Sequence, residues 1–214
     1  MQSYSVGSNA CGCDEKLHSS RLIAVTGGPG AGKTAILELA RRSFCEHVAI
    51  LPEAAGIVFG GGFPRHDSEP GRRGAQLAIY HVQRSIELVV IGERQVGIAL
   101  CDRGTLDGLA YWPGTEESYF EQTGTSQATE YERYAAVIHL RSPSAEHGYN
   151  RENKLRIESA AEASAIDERI AQAWAKHPRV VTIECVEDFF AKARVALETV
   201  RSELPKCCLS HALP

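Results

Sequence analysis

The stretch that most constrains this chain is the octapeptide at residues 27–34, which reads Gly-Gly-Pro-Gly-Ala-Gly-Lys-Thr. It follows the apolar run 22–25 and precedes the helix-like run 35–40. A strand, a glycine loop, a Lys-Thr pair and a helix in this order form the P-loop pattern, and these flanking elements make a chance glycine turn a poor alternative. Glycines let the backbone wrap a phosphate chain, so that N–H groups and the helix N-terminus face its oxygens. The pattern predicts that the chain binds a nucleoside triphosphate.

The loop also assigns individual roles. Lys33 should reach the β- and γ-phosphates, and the Thr34 hydroxyl should bind Mg²⁺. The expected cofactors are therefore ATP and Mg²⁺. The residues expected to bind the nucleotide in and beside the loop are Gly28, Pro29, Gly30, Ala31, Gly32, Lys33, Thr34 and Ala35.

Composition sets the limits on size and partners. A chain of 214 residues with 43% hydrophobic residues suits one globular domain with room for a small inserted lid. The net charge of −4 gives no argument for a nucleic-acid or membrane partner. The sequence has no apolar run of membrane-spanning length and no basic-then-apolar leader, so we expect a cytoplasmic location. It does not indicate the oligomeric state.

Apolar runs near 21–26, 48–51, 97–101, 136–140 and 180–183 alternate with helical patterns near 33–45, 76–93, 159–176 and 186–204. This alternation predicts an α/β, three-layer P-loop NTPase fold. Its central parallel sheet has about five strands, with helices on both faces and an arginine-bearing lid. We expect a domain over 20–204 with the lid at about 142–158, a flexible tail at 1–19 and a second tail at 205–214. Ligands bind beyond the carboxyl ends of such strands.

Three residues at strand ends are candidates for the chemistry. Asp102 closes an apolar strand at the Walker B position, where it would hold Mg²⁺, although a turn-capping Asp is the alternative. Arg103 would contact phosphate oxygens or form a structural ion pair with Asp107. Glu53 would accept the proton of an attacking hydroxyl or position a Mg²⁺-bound water, unless it is simply a carboxylate at a helix start.

Arginines after the fourth core strand supply the lid. Arg141 is expected beside the nucleotide and Arg151 in the catalytic group, with Arg156 as a further candidate. Closing arginines would stabilise the charge that develops on the transferred phosphoryl group. The spacing of Glu152 and Arg156 equally suits an exposed helical ion pair.

The sequence signals for an acceptor-binding pocket are less specific than those for the nucleotide site. Aromatic rings stack on a ring-shaped acceptor and glutamines hydrogen-bond to its edge, although each such residue alone is more typical of packing or surface. The candidates are Arg65, Gln76, Gln83, Tyr111 and Trp112.

Seven cysteines are present. Cys45, Cys101 and Cys185 lie in apolar surroundings and are expected to be reduced core residues. The tail pairs Cys11/Cys13 and Cys207/Cys208 lack the two-residue spacing of zinc ligands, so we expect free tail thiols and no metal cluster.

Several segments together resemble a known family. They are 52–55, 63–65, 102–107 with 110–111, and 151–174. The chain is similar to small AAA-labelled P-loop ATPase/kinase domains, including the ribosylnicotinamide kinase domain of bifunctional NAD-biosynthesis regulators. It also resembles the nucleotide-binding domain of a fly photoreceptor-channel trafficking protein and, distantly, thymidylate and deoxynucleoside kinases. The resemblance implies phosphate and Mg²⁺ ligands at Lys33 and Thr34, a magnesium acid at Asp102 and a base at Glu53.

Two functional classes remain open. The first is a kinase that moves the γ-phosphoryl group of ATP to an unidentified small acceptor such as a nucleoside or nucleotide. The second is a regulatory ATPase or switch without such an acceptor. No lysine is followed two places later by the aspartate of a guanine-reading motif, which lowers the expectation of a GTPase but leaves GTP binding open.

Overall fold

Five apolar segments form neighbouring parallel strands in the computed structural model, which describes residues 4–142, 160–185 and 188–209. A sixth, antiparallel strand completes the sheet. In chain order the strands are β1 (Ser5–Val6), β2 (Arg21–Thr26), β3 (Val48–Leu51), β4 (Ile98–Asp102), β5 (Tyr134–Leu140) and β6 (Val180–Ile183). Across the sheet their order is β1-β3-β4-β2-β5-β6. The strand that leads into the P-loop therefore lies between β4 and β5.

Helices cover both faces of this sheet. They are α1 (Lys33–Ser43), α2 (Ala54–Gly60), α3 (Glu69–Glu93), α4 (Glu116–Thr123), α5 (Gln127–Arg133), α6 (Ala160–Trp174) and α7 (Phe189–Glu203). Two 3-10 turns span Thr105–Ala110 and Lys206–Cys208. Successive strand residues point to opposite faces. Ile23 and Ile138 pack with residues of α1 and α7, whereas Leu22 and Val137 pack with residues of α3 and α6. The predicted three-layer α/β P-loop fold is confirmed.

Helix α3 begins earlier than its apolar periodicity predicted. The sequence analysis started this helix at Gln76, but the structure starts it at Glu69. Ser68 is the N-cap, and its side chain accepts a hydrogen bond from the Gly71 N–H. Pro70 in the first turn is compatible with a helix start because its missing N–H is not needed there. Capping, rather than burial, sets this boundary.

Described segments near each end of the chain pack onto the domain. Residues 1–19 were expected to be a flexible tail, yet Ser5 and Val6 pair with Ile50 and Ala49 of β3. Near the other end, Cys208 is fully buried within the 3-10 turn. Unpaired edge groups of β3 and an apolar patch at the end of α1 explain why these short segments pack onto the domain.

The arginine-bearing lid lies almost entirely outside the described residues. Ser142 is described, but 143–159 is not, so Arg151, Glu152 and Arg156 stay sequence-based predictions. Among the helices in the described ranges, none combines the length and apolar character needed to span a membrane.

Candidate nucleotide-binding site

The P-loop connects β2 to α1 through glycines that adopt conformations other residues rarely take. Gly27, Gly30 and Gly32 have φ values of 134°, 81° and 95°. A Cβ atom at Gly27 would lie 2.0 Å from the Leu140 carbonyl oxygen, so β5 leaves no room for a side chain there. Positive φ costs little for glycine alone. The loop therefore needs its glycines for both conformation and close packing.

Lys33 lies at the start of α1 and bends back over the loop. Its Nζ donates hydrogen bonds to the carbonyl oxygens of Gly27 at 2.7 Å and Gly28 at 2.9 Å. Burial, together with the nearby Arg103 guanidinium, lowers the pKa of Lys33 to about 7. A phosphate group beside this ammonium would favour its charged form and raise that pKa again.

The first turn of α1 presents its backbone to the same side. Gly32 is the N-cap and has no side chain to cap the turn, and the turn itself carries no acidic residue. Thr34 and Ala35 are exposed in that turn. A helix N-terminus with open N–H groups carries partial positive charge and attracts anions.

Asp102 ends β4 beside the P-loop strand. It pairs in register with Val25, two residues before Gly27. Burial, reinforced by the neighbouring Glu53 carboxylate, raises the pKa of Asp102 to about 6. This side chain therefore carries its negative charge at neutral pH and loses it in mild acid.

Arg103 follows in a left-handed conformation, with φ of 76°. Its Nε donates to Glu53 Oε1 at 2.6 Å, and its Nη1 lies 3.4 Å from the Gly27 carbonyl oxygen. The same Nη1 is 3.5 Å from Asp107 Oδ2, as the ion-pair alternative predicted. Glu53 is the N-cap of α2, yet its side chain makes no capping bond within that helix. Its bond to Arg103 therefore holds it toward the P-loop.

A cleft of about 840 Å³ runs along these strand ends. Lys33, Thr34, Asp102, Arg103 and Glu53 all line it. The five residues suggested for the acceptor side line the same cleft: Arg65, Gln76, Gln83, Tyr111 and Trp112. Sequence positions up to 79 residues apart thus share one cavity whose size suits small-molecule ligands.

A protein-family model described as an AAA domain matches residues 22–191, most of the chain. The chain belongs to this AAA domain family. A comparison with curated proteins found no match. Family membership, the P-loop and the α/β fold together identify a nucleotide-binding P-loop domain.

Arg141, which was predicted to lie beside the nucleotide, pairs with acidic residues of α6 in the AAA domain. It lies outside the cleft lining, and its Nε is 3.2 Å from Asp167 Oδ2. Its Nη2 donates to Glu168 Oε2 at 3.1 Å. The structure therefore gives the Arg141 side chain two partners on α6 instead of a position among the cleft residues.

Asp167 supports the P-loop of the AAA domain from behind, a role that the sequence analysis missed. Its Oδ1 accepts a 2.8 Å hydrogen bond from the Gly28 N–H and lies 3.0 Å from His139 Nε2. Burial alone would raise the pKa of the Asp167 carboxyl, but the bonds from His139 and Gly28 outweigh it and lower that pKa. The Gly28 N–H is thus directed toward Asp167 of α6.

Asp107 fixes the turn after Arg103 and is almost fully buried. Its Oδ2 accepts a short hydrogen bond from the Thr26 hydroxyl, and its Oδ1 accepts a 2.8 Å bond from the Trp174 indole N–H. The sequence analysis named Asp107 only as a partner of Arg103. These bonds connect the end of β2, the Arg103 turn and α6, so they hold the cleft floor in place.

Two buried carboxylates stabilise the cleft wall that carries Tyr80 and Gln83, and the sequence analysis missed their role. Gln83 Nε2 donates to Glu87 Oε1 at 2.7 Å, and the Tyr80 hydroxyl donates to Glu130 Oε1 at 2.9 Å. Arg133 forms ion pairs with both carboxylates. Because Tyr80 and Gln83 line the cleft, this buried network fixes the orientation of that wall.

Proposed function

We propose that this AAA domain is a Mg²⁺-dependent phosphotransferase that moves the γ-phosphoryl group of ATP to a small acceptor of the nucleoside or nucleotide class. The observation that carries the proposal is the single cleft in which Lys33, Asp102 and the Arg103–Glu53 pair face a wall of aromatic and amide side chains. The aromatic rings and amides of this wall would stack on, and hydrogen-bond to, a ring-shaped acceptor beyond the phosphates.

The residues present fit a nucleotide and its cation. The positive-φ glycines and the open first turn of α1 supply backbone N–H groups for phosphate oxygens. Mg²⁺ prefers oxygen ligands, and Thr34 and Asp102 offer a hydroxyl and a carboxylate in the same cleft. When bound, Mg²⁺ would supply charge neutralisation at the β- and γ-phosphates.

The protein's own groups then have distinct tasks. Lys33 leaves the Gly27 and Gly28 carbonyl oxygens and pairs with the phosphates. The acceptor hydroxyl oxygen forms a bond to the γ-phosphorus while the bond from that phosphorus to the bridging oxygen breaks, and ADP leaves. Glu53, held through Oε1 by Arg103, accepts the hydroxyl proton on Oε2. Arg151 remains a lid candidate that would add positive charge.

A second candidate, a nucleotide-dependent switch, is favoured by the partners of the Gly27 carbonyl oxygen. Lys33 donates to this oxygen, and Arg103 Nη1 lies 3.4 Å from it. Phosphates would compete for the Lys33 ammonium and the Arg103 guanidinium. The hydrogen bond from Arg103 to Glu53, the N-cap of α2, would then change. Nucleotide occupancy would then alter the position of α2 without any acceptor.

The deciding experiment is Mg²⁺-ATP turnover by the purified chain, alone and with a panel of nucleosides, nucleotides and ribosylnicotinamide. A phosphorylated product that forms in step with ADP supports the phosphotransferase. Tight nucleotide binding with only slow, acceptor-independent hydrolysis would overturn it in favour of the switch. Lys33→Ala, purified identically, corrects for contaminating activity.

A further inference from the structure

Four side chains from three segments converge at the end of α1 opposite the P-loop. Cys11 comes from the N-terminal segment, Cys45 and His47 follow α1, and Cys208 lies in the last 3-10 turn. Their sulfur and imidazole nitrogen atoms all lie within 4.8 Å of one another. The sequence analysis expected free tail thiols, and it did not anticipate that two of them, Cys11 and Cys208, meet Cys45 and His47.

We propose that these four residues form a structural Zn²⁺ site of the Cys₃His type. A tetrahedral zinc with bonds of about 2.3 Å to sulfur and about 2.0–2.1 Å to nitrogen sets its sulfurs about 3.8 Å apart and each sulfur about 3.5 Å from the nitrogen. The Cys11 and Cys208 sulfurs are 3.7 Å apart, and Cys208 Sγ is 3.4 Å from His47 Nδ1. These separations match two edges of that tetrahedron.

The donor chemistry selects the metal. Three thiols and one imidazole suit zinc, whereas magnesium and calcium prefer oxygen ligands. Four protein ligands also complete a tetrahedron and leave no position for water or substrate. Cys45 and Cys208 are 1% and 0% exposed, so the centre is closed in the manner of a structural site.

The surrounding backbone holds the ligands in place. The Asn9 N–H donates to the Phe44 carbonyl oxygen at 3.3 Å, and the Glu46 N–H donates to the Asn9 carbonyl oxygen at 3.0 Å. These bonds hold the segment before Cys11 against the end of α1. The His18 ring lies 4.3 Å from the His47 ring, measured between centroids, and helps to fix the imidazole orientation. The bound metal would therefore join both chain ends to α1.

Two smaller groups lie beside the proposed site. One joins Cys13 and His18 to His47, and the other joins Cys13, Glu15 and Cys207. Each offers only three ligands, and Cys13 is more exposed than Cys45 or Cys208. The four-residue set is therefore the assignment, and Cys207 serves as a control that is adjacent in sequence.

The site is distinct from the nucleotide cleft. Helix α1 runs for 11 residues from Lys33 to Ser43 and is therefore about 16 Å long. Zinc at this distance cannot contact the phosphates. Its test is therefore independent of whether the phosphotransferase proposal survives.

The first test measures metal in the full, tag-free chain purified under reducing conditions from zinc-supplemented medium. We expect about one zinc ion per chain by inductively coupled plasma mass spectrometry. Cys208→Ser should reduce zinc to background, whereas the neighbouring Cys207→Ser and the distant Cys185→Ser should retain it. Zinc at background in the wild type, with no uptake on titration, would overturn the site. Retention in Cys208→Ser with loss in Cys207→Ser would also overturn it.

Because Cys208→Ser removes a buried side chain and can unfold the protein, a second measurement uses the wild type alone. Cobalt substitution should give the intense visible bands of a tetrahedral centre and a thiolate-to-cobalt charge-transfer band. Chelation should lower the melting temperature, and added zinc should restore it. A weak octahedral cobalt spectrum would overturn the assignment. So would a Cys11–Cys208 disulfide, found by mass spectrometry, in a protein that binds no metal after reduction.

Discussion

Arg103 donates a 2.6 Å hydrogen bond from Nε to Oε1 of Glu53, which joins the turn after β4 to the N-cap residue of α2. Sequence reasoning gave these residues separate tasks, one at the phosphate and one at the acceptor. Since each holds the other, a change in either residue alters both tasks. Arg103 also keeps a left-handed backbone, which non-glycine residues rarely adopt unless their surroundings fix it.

Glu53→Gln tests this pair. The amide cannot accept the acceptor proton, so we expect kcat for phosphoryl transfer to fall about 10²–10⁴-fold with little change in ATP affinity. Arg103→Lys should lower kcat by a smaller factor in the Glu53→Gln variant than in the wild type, because the two residues act together. Glu38→Gln, which removes an ion-pair partner of Arg41 and Arg42 on α1, should keep full activity. Unchanged kcat in Glu53→Gln would remove Glu53 as the base.

Lys33→Ala tests the phosphate contact. Loss of the ammonium should lower ATP turnover at least about 100-fold, as expected for removal of a charge that stabilises the transition state. The circular dichroism spectrum and melting temperature should stay close to wild type. Lys176→Ala removes an exposed lysine and should keep wild-type turnover. Wild-type transfer by Lys33→Ala would show that the site is wrongly placed.

The lowered pKa of Lys33 predicts a proton linkage in nucleotide binding. At pH 8 a lysine of pKa about 7 is mostly neutral, and phosphate binding should raise its pKa and draw in a proton. Titration calorimetry in buffers of different ionisation enthalpy should therefore detect proton uptake at pH 8 that disappears near pH 6. Lys33→Met should abolish the uptake. Equal uptake in wild type and variant would assign it to another group.

Asp102→Asn tests the magnesium ligand. Mg²⁺-dependent turnover should fall more than nucleotide binding does, because the cation loses a charged ligand. In the wild type, the carboxyl is protonated below its pKa of about 6, so the Mg²⁺ concentration for half-maximal rate should rise as pH falls below 6. The variant should lack this part of the pH dependence. Equal loss of binding and turnover would argue against the metal role.

Asp167→Asn tests the support of the P-loop. An amide cannot accept from Gly28, His139 and Arg141 together, so we expect the free energy of unfolding to fall by about 1–3 kcal/mol and the KM for ATP to rise. The lowered pKa means that this carboxylate stabilises the fold at neutral pH and loses that effect as acid protonates it. The difference in stability should therefore shrink at low pH. Glu168→Gln, an exposed neighbour that also binds Arg141, should change little.

Local patterns predicted those parts of the molecule that depend on neighbours in sequence. The apolar runs predicted about five strands in a parallel sheet, because buried parallel strands need continuous apolar stretches. The same logic put Lys33, Glu53 and Asp102 at strand ends, and these ends meet at one cleft. The start of α3 was wrong by seven residues, since a Ser68 cap rather than an apolar face begins that helix.

The features that were missed arise only when distant segments pack together. Asp167 lies 139 residues after Gly28, and in sequence it reads as one more polar residue of an amphipathic helix. Glu130 likewise looks like a surface residue until packing buries it against Tyr80. The proposed zinc ligands show no regular spacing, because three separate segments supply them. Nothing in residue order alone distinguishes such positions from solvent-exposed ones.

The two-residue strand β1 has a consequence for how the protein behaves at high concentration. Without it, β3 would be the outermost strand on its side of the sheet, with a row of open backbone groups. Such an edge recruits strands of other molecules and promotes aggregation. Ser5 and Val6 shield β3 in antiparallel register, in which Ser5 faces Ile50 and Val6 faces Ala49. A chain shortened past Val6 would therefore keep its cleft residues but lose colloidal stability.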